Sequence, residues 1–394
     1  MNTHGNGTEG RCNWPDAHDR AGALLDADEN CAVRKWLVAA PFLRHANQAW
    51  LHSWIDPRLG FEFEVVPAPA HPLPGPRTSA VSWGAHLRHA ERVWRRAREQ
   101  VRPTGIITCF PHLPAILGLH ERLTGVHVPI VAWAFNLGAL RGGVSRILSR
   151  YALASVDRFI VHARAEIEPY QAWLDVPGHR LQFVPLQRPV RPVEFSEDAD
   201  DPFVLAMGSA HRDYATFAQA VAITGYRAVV VAAPHALRGV DFPPQVQVCS
   251  GLSVHECNAL VQKARVVVVP VDNDTTASGQ VALLSAMMYG RPVIATRCAG
   301  TADYVRDGVN GLLVDRADAT DMAACLKLLW ESPERRVALG AHARDGIRRQ
   351  HSDRAIAGAL AMVLSSVRSG NAQPPGSVLD VPWRDTEPAL HALQ

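Results

Sequence analysis

The chain has 394 residues, 47% of them hydrophobic and 20% charged, and a net charge of only +2, the composition of an ordinary folded protein long enough for two cores. No run of eighteen apolar residues occurs, the first residues lack the apolar centre of a secretion signal, and the seven cysteines include no CxxC pair. A spanning helix, a secreted leader, a zinc site and a disulfide framework are therefore disfavoured, and a reducing cytoplasm is the expected compartment. Charge is unevenly placed: residues 34–195 carry 20 basic against 11 acidic groups, a local excess of +9 that suits an anionic partner.

In chain order, residues 1–33 are polar and rich in Gly and Asp, and are expected to be disordered. Apolar runs then alternate with amphipathic stretches. WLVAA (36–40), FEFEVVPA (61–68), GIITCF (105–110), PIVAWAF (129–135) and RFIVHA (158–163) read as strands of a first domain over 34–190. Between them, WGAHLRHAERVWRRAREQVRP (83–103) reads as a helix with Leu87, Ala90, Trp94, Ala97 and Val101 on one face and six arginines largely elsewhere. Its basic side is either simply solvated or a contact for anionic lipid or an anionic acceptor, and LRGGVSRILSRYAL (140–153) has the same character. A proline-rich, acidic stretch within 185–202 marks an interdomain linker, placed at 191–202. A second domain over 203–368 follows, with strands at FVLAMG (203–208), RAVVVAA (227–233), VQVCS (246–250), RVVVVPV (265–271), PVIATR (292–297) and GLLV (311–314). Many of these runs are apolar on both faces, as strands of a covered parallel sheet must be, so the fold class is α/β with two doubly wound Rossmann-like domains facing a cleft. The tail 369–394 has Pro and Gly without period and is expected to be disordered or loosely packed.

Two turns in the second domain suit an anionic ligand. GSAHRDYATF (208–217) follows a strand; Gly208 lets the chain turn, Ser209 is small, Asp213 is placed to cap the next helix, and Arg212 offers bidentate donors to phosphate. The plainer reading is a cap beside a solvated arginine. TTASGQ (275–280) precedes an apolar helical run; Thr275, Thr276, Ser278 and Gly279 leave the helix N-terminus open to an anion, and Gln280 can reach a sugar hydroxyl. Here the plainer reading is an ordinary strand-to-helix turn. If the two turns converge they favour a diphosphate. Other chemistries lack their signatures: no GxGxxG follows a strand, and neither GxxxxGK[ST] nor GxSxG occurs. Asp272-Asn273-Asp274 has the form of a metal-binding DxD, but turn formation is the expected role, and no metal site is assigned.

The ordered segments FVLAMGSAHRDYATFAQAVA, LSVHECNALVQKARVVVVPV, ASGQVALLSAMMYGRPVIAT, AGTADYVRDGVNGLLV and DATDMAACLKLLWESPERRVALGAHAR resemble the nucleotide-sugar-binding domain of GT-B-fold glycosyltransferases, specifically retaining family 4, the group 1 glycosyl transferases. SVDRFIVHARAEIEPYQAWLDVPGHRLQFVPLQ extends the resemblance more loosely into the first domain. It implies a hexosyltransferase-like activity, retaining and metal-independent, in glycan, polysaccharide or glycolipid synthesis. The donor, a nucleoside diphosphate sugar, is implied to lie on the second domain and an unidentified acceptor on the first, with no cofactor besides the substrate and no nucleic acid. Arg212 fits the family's diphosphate-binding arginine, but Phe217 stands where a lysine is usual. The family's two glutamates fall on Ala277 and Ser285, leaving Ser285 to offer one neutral hydroxyl and Thr275, Thr276, Ser278 and Gln280 to compensate. In the first domain PFLRHANQAW replaces a Gly-rich loop, and the catalytic candidates are Asn136, near the place of a usual histidine, and His112. Losing both acids also fits a catalytically inactive GT-B-like partner of another transferase. A sugar nucleotide epimerase of the same fold has no distinguishing motif.

Overall fold

The computed structural model describes residues 34–69, 79–100, 104–274 and 276–368; the expectations for 1–33, for 369–394 and for Thr275 lie outside the described residues. Among the described residues the chain forms two six-stranded parallel sheets, each covered on both faces by helices.

The first sheet contains β1 (Lys35–Ala39), β2 (Glu62–Val65), β3 (Thr104–Cys109), β4 (Ile130–Trp133), β5 (Arg158–Val161) and β6 (Leu181–Phe183), in the order β2-β1-β3-β4-β5-β6. Its helices are α1 (Ser79–Arg98), α2 (His112–Thr124), α3 (Val144–Leu153) and α4 (Ile167–Leu174). The strand β6 has no counterpart among the expected runs. The second sheet contains β7 (Val204–Met207), β8 (Ala228–Val231), β9 (Val246–Cys249), β10 (Val266–Val269), β11 (Val293–Thr296) and β12 (Leu312–Val314), ordered β12-β11-β10-β7-β8-β9. Around it lie α5 (Tyr214–Thr224), α6 (Val254–Lys263), α7 (Gln280–Met288), α8 (Ala319–Glu331) and α9 (Pro333–Gly346). Central strands such as β10 and β4 are buried along their whole length, which is why their sequences are apolar on both faces.

A last helix, α10 (Asp353–Arg368), falls within the stretch expected for the second domain, but it packs on the first. Ile356, Leu360, Val363 and Leu364 are fully buried in one cluster with Trp36, Val38, Leu51 and Val131. At about 1.5–3 kcal/mol for each such side chain, this stripe is a substantial tether between the chain's end and its first sheet. The two domains are therefore joined twice, by the irregular segment 184–202 and by the return through a π-helical turn at Ile347–His351.

The second sheet reverses its strand order between β7 and β10. Such a reversal opens a crevice beyond the carboxyl ends of the two strands, the usual place for a ligand in this architecture. The turns that follow β7 and β10 are the two singled out in the sequence.

Candidate functional site

Beyond β7 the chain turns at Gly208, whose φ of 118° and whose close approach to a side chain both exclude a Cβ: one built there would run into the guanidinium of Arg212. That guanidinium folds back over the turn. Its Nε donates to Met207 O (3.1 Å) and its Nη1 to Ala210 O (2.7 Å), while Nη2 donates to no described residue. Burial lowers the Arg212 pKa, yet an arginine stays charged at any working pH. Ser209 Oγ accepts from Ala233 N (2.8 Å). Asp213 caps α5 as expected, accepting from Thr216 N at 3.0 Å. Phe217, on α5, is fully buried against the sheet and so brings nothing to the site.

The turn after β10 comes against this one. Arg212 pairs with Val271 in an antiparallel bridge, and a Cβ on Gly279 would stand 3.2 Å from Val271 Cγ2. Gly279 holds φ at 89° as the first residue outside α7. The helices α5, α6 and α8 are capped by the side chains of Asp213, Ser253 and Asp318, whereas no side chain caps α7. Its terminal N–H groups and dipole thus remain available to an anion. Ser278 is 8% exposed and its Oγ has no hydrogen-bond partner among the described residues. The loop after β11 supports this turn from behind: Gly300 lies so close to the Ser278 backbone that a Cβ would strike its carbonyl. Thr276 N–H donates to Asn273 Oδ1 (3.3 Å), giving Asn273 the expected role in a turn, and Asp274 pairs with Arg316 at 3.4 Å.

Two expected ligand contacts are corrected. Gln280 does not point toward a sugar; its Nε2 donates across the domain seam to His162 O (2.6 Å) and, within the second domain, to Tyr304 Oη (3.3 Å), because a buried amide beside two acceptors satisfies itself internally. Ser285 is 3% exposed and donates back to Val281 O (2.6 Å) within its own helix, so its hydrogen is not available to a ribose.

The seam itself carries residues with no signal of their own in the sequence. Tyr304 Oη donates to His162 O (2.6 Å) and accepts from Leu186 N (3.0 Å). Arg164 N donates to Asp303 Oδ2 (2.7 Å). Glu166, 1% exposed, accepts from Asn136 Nδ2 (3.1 Å), Tyr170 Oη (3.0 Å) and Ala277 N (3.2 Å), all through Oε1. Burial raises the Glu166 pKa; the bonds from Ala277 and Tyr170 oppose that shift and Asp303 adds to it. Asn136, a catalytic candidate, therefore lies one residue away from the second domain. His112 does not join it: exposed at the start of α2, its ring stacks on His86 at 5.1 Å and meets Trp83 edge-on, also at 5.1 Å. Within HARAEIEPYQ, a glutamate near a helix start reads as ordinary first-turn charge, and nothing local marks its partner 111 positions away.

Two parallel sheets meeting at a seam, a switch point edged by an uncapped helix and an inward-folded arginine, and a final helix that crosses back to the first sheet define the GT-B class of fold. Residues 206–332 match the family model of glycosyl transferases group 1, so the family resemblance of the second domain is confirmed over that span. Among curated relatives, the D-inositol 3-phosphate glycosyltransferase of Corynebacterium kroppenstedtii is 32% identical over 108 residues, 27% of this chain. The match spans only 23% of that relative's length. Among solved structures, sucrose-phosphate synthase of Thermosynechococcus elongatus superposes with a TM-score of 0.65 at 16% identity, covering 86% of this chain and all of that one. Anabaena HepE in complex with UDP superposes with a TM-score of 0.59 at 13% identity, covering 84% of this chain and all of that one. These likenesses establish the fold.

Proposed function

We propose that the protein is a glycosyltransferase that moves a sugar, with retention of configuration, from a nucleoside diphosphate donor to an acceptor on its first domain. The observation that carries this reading is the bridge of Arg212 to Val271, which sets the Arg212 turn against the turn leading into the uncapped N-terminus of α7, where the Ser278 hydroxyl is buried without a partner among the described residues. Breaking the bond between the anomeric carbon and the phosphate oxygen leaves negative charge on the departing diphosphate. Arg212 Nη2 and the α7 N–H groups meet that charge in a partly desolvated turn, and the scheme calls on no metal. The matching family and the UDP bound by HepE support a nucleotide-sugar donor. The basic surface of the first domain further suggests that the protein works in the cytoplasm against an anionic membrane, through 83–103 and 140–153, in glycan or glycolipid synthesis.

The test is a panel of UDP-, GDP- and TDP-sugars read by calorimetry and by release of nucleoside diphosphate. The expected result is tight binding of one donor and slow hydrolysis of it without acceptor. Failure of every donor to bind at millimolar concentration would refute the site, and binding without release under any acceptor would leave a binding protein rather than a transferase.

A further inference from the structure

The outer surface of the first domain holds a concavity that the donor site does not use. The helices α1, α2 and α3 bury their apolar sides in one cluster on the same face of the first sheet, with α2 between the other two. Between α1 and α2 lies a cavity of about 520 Å³, open to solvent and lined by Leu87, Arg88, Glu91, Arg92 and Arg95 of α1 and by His120 of α2. Its volume is that of a small-ligand site.

Charge is distributed unequally around α1. On the side facing β2, Arg96 is held by both oxygens of Glu64 (2.5 and 3.2 Å) and reaches Glu99 at 3.5 Å. The cavity receives no such compensation. Its one carboxylate, Glu91, faces His120 Nε2 at 3.2 Å, and that ring is held by Ile116 O on Nδ1 (2.9 Å) and by the Trp94 ring at 5.8 Å. Arg92 Nη1 donates to Pro67 O (3.3 Å), while the side chains of Arg88 and Arg95 pair with no described residue. Three arginines against one glutamate leave +2 in the cavity, with like charges three and four positions apart repelling one another along the helix. A surface needing only solubility would intersperse both signs. Guanidinium groups converging on one cavity suit a phosphate, whose oxygens accept paired donors.

The adjoining surface indicates the source of that phosphate. A Cβ on Gly118 would strike Ala152 O, so α3 lies directly against α2. Beyond that contact α3 turns Val144, Ile147, Leu148 and Tyr151 outward, and Leu123, in the last turn of α2, is 80% exposed. A cationic cavity beside an uncovered apolar stripe matches a molecule with an anionic head and apolar chains.

We propose that the cavity between α1 and α2 is a headgroup site for a lipid phosphate monoester, with Arg88, Arg92 and Arg95 on the phosphate and the α3 stripe against the acyl chains. The inference rests on the reading of 83–103 and 140–153 as a membrane-facing surface and deepens it. A diffuse basic patch responds to surface charge alone. A cavity carrying +2 also distinguishes a monoester, with nearly two charges and three terminal oxygens, from a diester with one charge and two.

The experiment is co-sedimentation of the full chain with phosphatidylcholine vesicles carrying either phosphatidic acid or phosphatidylglycerol, mixed to equal zeta potential. The parent is expected to bind the phosphatidic acid vesicles about tenfold more tightly, the gain from one further charge-assisted pair. Arg88→Gln/Arg95→Gln is expected to bring the two affinities within about twofold of each other. Arg98→Gln/Arg141→Gln, which removes the same charge from exposed positions outside the cavity, should lower both affinities alike and keep their ratio. Glycerol 3-phosphate, the headgroup without its chains, is expected to bind about tenfold more weakly than the vesicles in calorimetry. Equal binding would overturn the lipid assignment in favour of a soluble phosphate. Equal affinity of the parent for the two vesicles, or a ratio unchanged by Arg88→Gln/Arg95→Gln, would overturn the headgroup site and leave a merely electrostatic membrane contact. Binding to neither vesicle would instead remove the membrane reading on which the site stands.

Discussion

At the scale of single residues, Arg212 and Gly208 act as a unit. Two of the guanidinium's three nitrogens hold the carbonyls of Met207 and Ala210, which fixes the direction of Nη2. Arg212→Ala is expected to weaken nucleoside diphosphate binding by about 1.5–3 kcal/mol, tenfold or more in Kd, measured by calorimetry. Arg212→Lys should recover little of it, because one ammonium cannot hold two carbonyls and still reach the ligand. Gly208→Ala should reproduce the loss without removing any charge, since its Cβ displaces the guanidinium and its backbone is strained at φ 118°. Equal binding by the parent and Gly208→Ala would show that this arginine does not face the ligand.

At the scale of elements, α3 presents Val144, Ile147, Leu148 and Tyr151 to solvent at 70, 67, 62 and 47% exposure. Their spacing is that of a single helix face, while Ala152 and Leu153 are buried. Such a stripe is unusual on a surface, and Arg122 lies over the Tyr151 ring at 4.5 Å. The pair Ile147→Asp and Leu148→Asp should abolish co-sedimentation with vesicles rich in anionic lipid while leaving thermal stability and UDP binding unchanged. High salt should weaken the parent's binding, and indifference to both salt and the substitutions would count against a membrane role. The sequence shows the amphipathic character of 140–153 but not that its apolar side faces outward. Periodicity reveals that a face exists, never what covers it. The same limit hides the destination of α10, whose stripe reads equally well against either sheet. Strands such as β7 and β10 are legible because burial on both faces demands unbroken apolar runs; β6, three residues centred on Gln182, gives no such run. At the site, Gly208, Arg212 and Gly279 are legible because backbone geometry and charge restrict the residue type. The direction of the Gln280 amide and the reach of Glu166 depend on contacts 118 and 111 positions away and carry no local mark.

At the scale of the whole molecule, the two buried histidines His162 and His351 lie where the domains join. His162 Nδ1 donates to Val184 O (2.6 Å), leaving Nε2 buried with no described partner, and its carbonyl receives Gln280 and Tyr304 from the second domain. His351 Nδ1 bonds Leu186 O at 3.2 Å, and its carbonyl accepts from Arg188 N (2.7 Å). Burial lowers the pKa of each from 6.5 to about 4. The unfolded chain therefore binds protons on these rings before the folded one does, so the stability they preserve is full above pH 6.5 and is lost as pH falls toward 4. At pH 5 the loss is on the order of 2 kcal/mol for each ring. Glu166, Asp157 and Asp303 are shifted upward by burial and act in the opposite direction, but carboxylates titrate lower, so the histidines dominate the first part of the descent. Urea unfolding followed from pH 7.5 to 4.5 should show the midpoint falling below pH 6.5, with a shallower slope in His351→Gln. A midpoint flat across that range would mean that both rings remain neutral in the unfolded chain or charged in the folded one, and the histidines would not be the source of any acid sensitivity at the interdomain joint.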